Sequence, residues 1–165
     1  MAFSLNSYPV IYRARYSQGG WTEEYLEKPH KTPEEEARLE EAEALVLADS
    51  RNFFEDMPLI SYTSQYGLSC FEGLKALPQK GGGLAIFRPD RNAARFNKSM
   101  QGLYMPPFPE DLFVNAVKET VKRNAALGFS ISYKSEWEKD SFINADSIYI
   151  RPFTYSEGGI GVNIS

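Results

Sequence analysis

The 165-residue chain contains one cysteine and one histidine. Cys70 therefore has no partner for an internal disulfide. Cys70 and His30 together cannot furnish the four ligands of a structural zinc site. This cysteine usage points to a reducing, cytosolic compartment. No run approaches the ~20 consecutive apolar residues of a membrane span. The N-terminal stretch MAFSLNSYPVIYRARYS lacks the basic start and unbroken apolar run of a signal peptide. Positive charge is not in excess: 18 Lys and Arg stand against 22 Asp and Glu, a net charge of −4. With a pI near 5.1, this argues against a nucleic-acid binder. No GxGxxG follows a strand, and Walker, HExxH and GxSxG motifs are absent.

What is present describes an ordinary folded domain. Apolar residues make up 42%, charged residues 24% and aromatic residues 14%. This composition excludes collagen, coiled coil and wholesale disorder. At one domain per ~150 residues the chain is a single domain, 1–165. A globule of this size buries roughly 70% of its unfolded surface. Charge is unevenly spread. Residues 1–56 hold 12 acids and 6 bases, a net of −6, and residues 57–165 hold 10 acids and 12 bases, a net of +2. Arg88, Arg91, Arg95 and Lys98 fall close together against one acid, Asp90, which makes a local anion-attracting spot.

Periodicity places the elements. In YPVIYRARY, 8–16, Tyr8, Val10, Tyr12 and Tyr16 alternate with Arg13 and Arg15, as in a half-buried strand that Gly19-Gly20 ends. Residues 32–49 read as a helix with Thr32 as N-cap, Pro33 at the first position and Glu35 completing a capping box. Its glutamates read as a solvated face. Residues 61–77 follow neither period, and Gly67 and Gly73 mark a bend or a close backbone approach. Gly81-Gly82-Gly83 reads as a hairpin tip before a short strand at 84–87. Asp90 is expected to cap a helix bearing Ala93, Phe96, Met100 and Leu103. Pro106, Pro107 and Pro109 precede a helix striped with Leu112, Phe113, Ala116, Val117 and Val121, stopped by Gly128. Residues 129–146 read as a polar loop, 147–153 as a strand and 158–161 as a glycine-rich turn. The class is α+β, with mixed helices and strands. His30 reads as a surface residue and Cys70 as a small buried one.

Two segments resist explanation by packing alone: Tyr66-Gly67 with Phe71-Glu72-Gly73, and Tyr149-Ile150-Arg151-Pro152. Strand alternation puts Tyr149 and Arg151 on one face. An arginine beside a tyrosine there makes a carboxylate receptor, with two parallel guanidinium hydrogen bonds and a phenol. The plainer reading is a strand with an exposed face.

YGLSCFEGLKAL, AIFRPDRNAARFNKSM, LYMP, SIYIRPF and GIGV, in that order over 61–165, resemble the branched-chain amino-acid aminotransferases. These are pyridoxal-phosphate (PLP) enzymes of fold-type IV. The resemblance implies a mostly antiparallel sheet with flanking helices. It also implies PLP as cofactor, and branched-chain amino acids and 2-oxoglutarate as substrates. A homodimer in the cytoplasm is implied as well. Arg95 matches the arginine that holds the PLP phosphate. Tyr149 matches a tyrosine at the substrate α-carboxylate. Arg151 matches the arginine that receives the side-chain carboxylate of glutamate. Tyr66, Phe71 and Gly73 match pocket-lining positions, and Val162 a loop residue that reaches the neighbouring subunit's pocket. Arg88 and Arg91 match less specific positions and read as structural or rim charges.

The same resemblance implies a second, larger domain that carries the lysine bonded to PLP. Lys75 does not match that lysine and reads, like Lys98, as a solvated residue. The small domain is expected to be cut short of its last strand, leaving an exposed sheet edge, and this chain alone is expected to be inactive. Two other readings stand beside it: a free-standing, non-catalytic binding domain, and another fold-type IV enzyme, a D-amino-acid aminotransferase or aminodeoxychorismate lyase. Gln65 departs from the histidine common before Tyr-Gly, and 129–146 is longer than in compact relatives.

Overall fold

The computed structural model describes residues 8–28, 30, 32, 35, 60–143 and 145–156, with the backbone alone for Asp140. The expectations for the rest of the 32–49 helix, the 158–161 turn, Val162 and a missing final strand lie outside the described residues. Strand β1, Val10–Ser17, pairs antiparallel with β2, Gly20–Glu27. Their two-residue loop has positive φ at both Gln18 and Gly19, as a primed hairpin turn requires. The alternation read for β1 is present. Tyr12 and Tyr16 meet Tyr25 and Trp21 edge-on, with ring centres 5.2 Å apart in each pair. On the other face Arg13 and Arg15 both reach Glu24. Strand β2 is an addition to the sequence reading.

The second sheet has the order β4-β3-β5, with β3 Leu74–Pro78, β4 Leu84–Ile86 and β5 Ile148–Ile150, all antiparallel. The triple glycine does turn the chain between β3 and β4. Helix α1, Tyr62–Tyr66, begins with a Ser61–Ser64 capping box and ends at Gly67 in the left-handed region, φ 64°. Helix α2 is Pro89–Gly102 and helix α3 is Glu110–Ala126. The architecture is therefore α+β, as expected. No helix among the described residues is long and apolar enough to cross a membrane, and these residues hold no cluster of metal-ligating side chains.

Leu74 of β3, Ala93, Phe96 and Met100 of α2, Phe113 and Val117 of α3, and Phe108 between the helices form the core. The proline-rich link is held by Asn97, which donates to the Phe108 carbonyl and accepts from the Phe108 N–H. Trp21 packs edge-on against Phe108 at 4.9 Å, joining the hairpin to the core. Asn124 of α3 is buried and takes both main-chain polar groups of Val10.

Three local expectations are corrected. The N-cap of α2 is Arg88, in the left-handed region at φ 44°, and Asp90 sits inside the first turn. The Arg88 guanidinium forks onto Asp90 and holds its carboxyl at about 2. Residues 129–146 are not wholly loop: Ser135–Asp140 form a 3₁₀ helix that buries Trp137. His30 is not a surface residue. Its ring packs edge-on against the buried Phe129, and Nδ1 lies 3.0 Å from the Lys28 carbonyl. Thr32 and Glu35 do form the reciprocal bonds of a capping box. Cys70 is half-buried against the core and free.

The C-terminus of α2 closes as a Schellman motif. Met105 N–H donates to the Met100 carbonyl and Tyr104 N–H to that of Gln101. Tyr104 is in the left-handed region at φ 54° and its side chain is 99% exposed. A tyrosine there bears strain that glycine avoids, with no packing to offset it. Tyr104→Gly is expected to stabilise the fold by about 1 kcal/mol, read as a rise in the urea midpoint at constant slope. A lowered midpoint would contradict the strain assignment.

Candidate active site

The β3–β5 pairing runs on beyond the two strands. Thr154 N–H donates to the Cys70 carbonyl, Glu72 N–H donates to that of Pro152, and Phe71 bridges Phe153. This fixes one register for the whole ribbon. Alternation then divides it into two faces. Glu72, Leu74 and Ala76 with Ile148 and Ile150 point towards the helices. Phe71, Gly73 and Lys75 with Tyr149, Arg151 and Phe153 point outward.

On the outward face Arg151 donates to the Tyr149 hydroxyl through Nη2 at 2.9 Å and Nε at 3.2 Å. Its guanidinium also lies over the Phe71 ring, 4.5 Å from the ring centre. The expected sharing of one face by Tyr149 and Arg151 is therefore observed. No carboxylate among the described residues pairs with Arg151. Gly73 permits this packing, because a β-carbon there would stand 2.8 Å from the Tyr149 hydroxyl. Phe71 and Phe153 are each 60% exposed, apolar walls beside a cation with no carboxylate partner among the described residues.

On the inward face stands Glu72, a carboxylate only 4% exposed. Burying it is costly unless it is paired and hydrogen-bonded. Arg95 of α2 donates Nε and Nη2, each at 2.7 Å, to its two oxygens, and Asn92, one turn earlier, donates at 2.9 Å. These bonds, the Arg95 pair foremost, hold the Glu72 carboxyl below the usual carboxylate range against the opposing effect of burial. The Arg95 side chain itself is 67% exposed. Of the five N–H donors of a guanidinium, Glu72 takes two and three remain.

Among the sequence-predicted residues, the structure gathers Phe71, Gly73, Tyr149 and Arg151 into one group. It places Arg95 against Glu72, towards the other face of the same ribbon. Tyr66 ends α1, well exposed, with its ring on Tyr62. That helix is tied to the far end of the ribbon where Ser156 N–H donates to Thr63 Oγ1.

No family model matches the chain. Curated relatives do. The branched-chain-amino-acid aminotransferase of Haemophilus influenzae is 39% identical over 99 residues, 60% of this chain. That of Helicobacter pylori is 35% identical over 120 residues, 73% of this chain. A probable branched-chain-amino-acid aminotransferase of Staphylococcus aureus is 39% identical over 101 residues, 61% of this chain. The chain is related to a stretch of the branched-chain-amino-acid aminotransferases. The matched stretch is 25%, 30% and 25% of those three aminotransferases, so the chain spans less than a third of their length.

Two residues of the aminotransferase-like segment went unassigned in the sequence: Glu72 and Asn92. Their signal was present. An acid at 72 falls on the apolar parity of a strand, with Leu74 and Ala76, and Asn92 and Arg95 lie three apart on one helix face.

Proposed function

We propose that this chain is the substrate-facing part of a PLP-dependent aminotransferase, exchanging amino groups between branched-chain amino acids and 2-oxoglutarate. The observation that carries this reading is the outward group of Arg151, Tyr149 and Phe71. Arg151 has no acidic partner among the described residues, so its unused N–H groups are offered to a carboxylate ligand. The Tyr149 oxygen accepts from Arg151, which leaves its own O–H to donate to the same ligand. Phe71 and Phe153 offer apolar surface to a branched aliphatic chain. One site that takes both glutamate and leucine needs such a pairing of cation and apolar wall.

The residues also fit PLP. Arg95 is an oriented, largely exposed fork with three donors that Glu72 does not take, suited to the cofactor phosphate. PLP when bound supplies an electron sink for the carbon chemistry, and the protein groups hold and orient it. The lysine bonded to PLP and the rest of the enclosure belong to a larger domain of the whole enzyme. The whole enzyme is read as a homodimer.

The test is substrate-resolved turnover by the full-length enzyme. Removing a charged hydrogen-bond partner costs ~1.5–3 kcal/mol. Arg151→Ala is therefore expected to lower kcat/KM for glutamate by roughly 10- to 100-fold, with a much smaller loss for leucine. Equal losses for both substrates would overturn the carboxylate role.

A further inference from the structure

Arg95 is held in a way that an exposed arginine ordinarily is not. A free arginine side chain carries ~2 kcal/mol of rotamer entropy, lost when a ligand fixes it. Glu72 has already fixed it. The carboxylate rises from the inward face of the ribbon two residues before β3, is shut from water, and grips the guanidinium by its Nε–Nη2 edge with two bonds of 2.7 Å. Asn92 holds the same carboxylate from the same helix at 2.9 Å and also reaches the Gly73 carbonyl. The ribbon just ahead of β3 and helix α2 are thereby clamped together at the base of Arg95. The burial is one-sided: 4% exposure for Glu72 against 67% for Arg95. The buried acid fixes one edge of the fork and the other edge is presented to solvent.

We infer that Glu72 is a positioning residue, orienting the Arg95 guanidinium so that its free edge meets the cofactor phosphate. This rests on the reading of Arg95 as the phosphate partner. Two effects of Glu72 oppose each other, which makes the inference testable by sign. As a nearby negative charge, Glu72 repels a phosphate, so neutralising it would tighten PLP if charge alone mattered. As a clamp it preorganises the fork, so neutralising it loosens PLP.

The experiment measures equilibrium affinity of the full-length apoenzyme for PLP and for pyridoxal, which lacks the phosphate, by titration of cofactor absorbance. Glu72→Gln keeps the shape of the side chain and removes the charge. It is expected to weaken PLP about tenfold and leave pyridoxal unchanged. Glu72→Asp keeps the charge, shortens the clamp, and is expected to act in the same direction. It also serves if the glutamine variant does not fold. An unchanged or tightened PLP affinity in both variants overturns the inference. So does an equal loss of PLP and pyridoxal, which would mean that Glu72 supports the fold alone. Arg95→Lys separates the two levels. If it leaves the PLP-to-pyridoxal ratio intact, the phosphate reading of Arg95 falls and the positioning role with it. If it collapses the ratio while neither Glu72 variant moves it, only the positioning role falls.

Discussion

Asn124→Ala is expected to destabilise the fold by about 2–4 kcal/mol, among the largest effects of any single polar replacement among the described residues. Asn124 Oδ1 accepts from the Val10 N–H at 3.0 Å, and Nδ2 donates to the Val10 carbonyl at 2.8 Å and the Thr120 carbonyl at 2.9 Å. Both Val10 and Asn124 are almost wholly shut from water. Alanine would leave a buried donor and a buried acceptor of Val10 unpaired, each costing ~1–3 kcal/mol. Thr120 is the least affected, because a helical carbonyl at that position keeps its i+4 main-chain partner. Asn124→Asp should be no milder: it keeps the Oδ1 acceptor but turns the donor that serves two carbonyls into a second acceptor. The effect reaches the site. This amide ties the β1–β2 hairpin to α3, and α3 packs on α2, which carries Arg95. Urea unfolding followed by the fluorescence of Trp21, seated on Phe108, checks it. A loss below about 1 kcal/mol at unchanged slope would show that water or a main-chain shift serves Val10 instead.

The elements legible in the sequence are those where one face is apolar and the other is not. β1 alternates, α2 and α3 carry stripes, and the 81–83 glycines leave the chain no choice but to turn. β2 escaped because its inward residues, Trp21 and Tyr25, are separated by Glu23, and Glu24 follows directly. Its pairing is decided across the hairpin, where Arg13 and Arg15 meet Glu24. Residues 61–77 showed no period because they hold two elements, a one-turn helix and a strand, divided at Gly67. Asp90 is a good N-cap residue by type, but Arg88 takes that position in a left-handed conformation, so Asp90 is drawn into the helix. Trp137 supplies the buried contact of its 3₁₀ helix from a stretch that is otherwise polar. For the site, strand alternation united Tyr149 with Arg151, and the resemblance singled out Arg95 from a local cluster of positive charge. The parity of Glu72 with Leu74 and Ala76 marks a buried acid, but its pairing with Arg95 needs the packing of the ribbon on α2, a non-local fact that no single-segment pattern contains.

Gly73→Ala is expected to leave the fold nearly intact and to break the Tyr149–Arg151 contact. The new β-carbon would stand 2.8 Å from the Tyr149 hydroxyl, 3.4 Å from Cε2 and 3.5 Å from Cζ. The first distance is too short to persist, so something must shift. The backbone of Gly73 is the less mobile partner, because β3 begins at the next residue and the preceding Glu72 N–H is bonded to the Pro152 carbonyl. Tyr149 meets Gly73 with the far end of a side chain that is open to solvent on its other side. The phenol therefore swings outward, and the hydroxyl leaves the Arg151 Nε and Nη2 donors. Arg151 keeps its place over Phe71 but loses the neighbour that orients it. In the full-length enzyme, turnover with glutamate should fall about tenfold, the loss of one hydrogen bond to a charged group. The unfolding midpoint should move little, since no buried group is uncovered. Tyr149→Phe supplies the decisive comparison. It removes the clashing hydroxyl, so Gly73→Ala in the Tyr149→Phe background should cost little further activity. Fully additive losses in the double variant would show that Gly73 acts on the substrate directly and not through Tyr149.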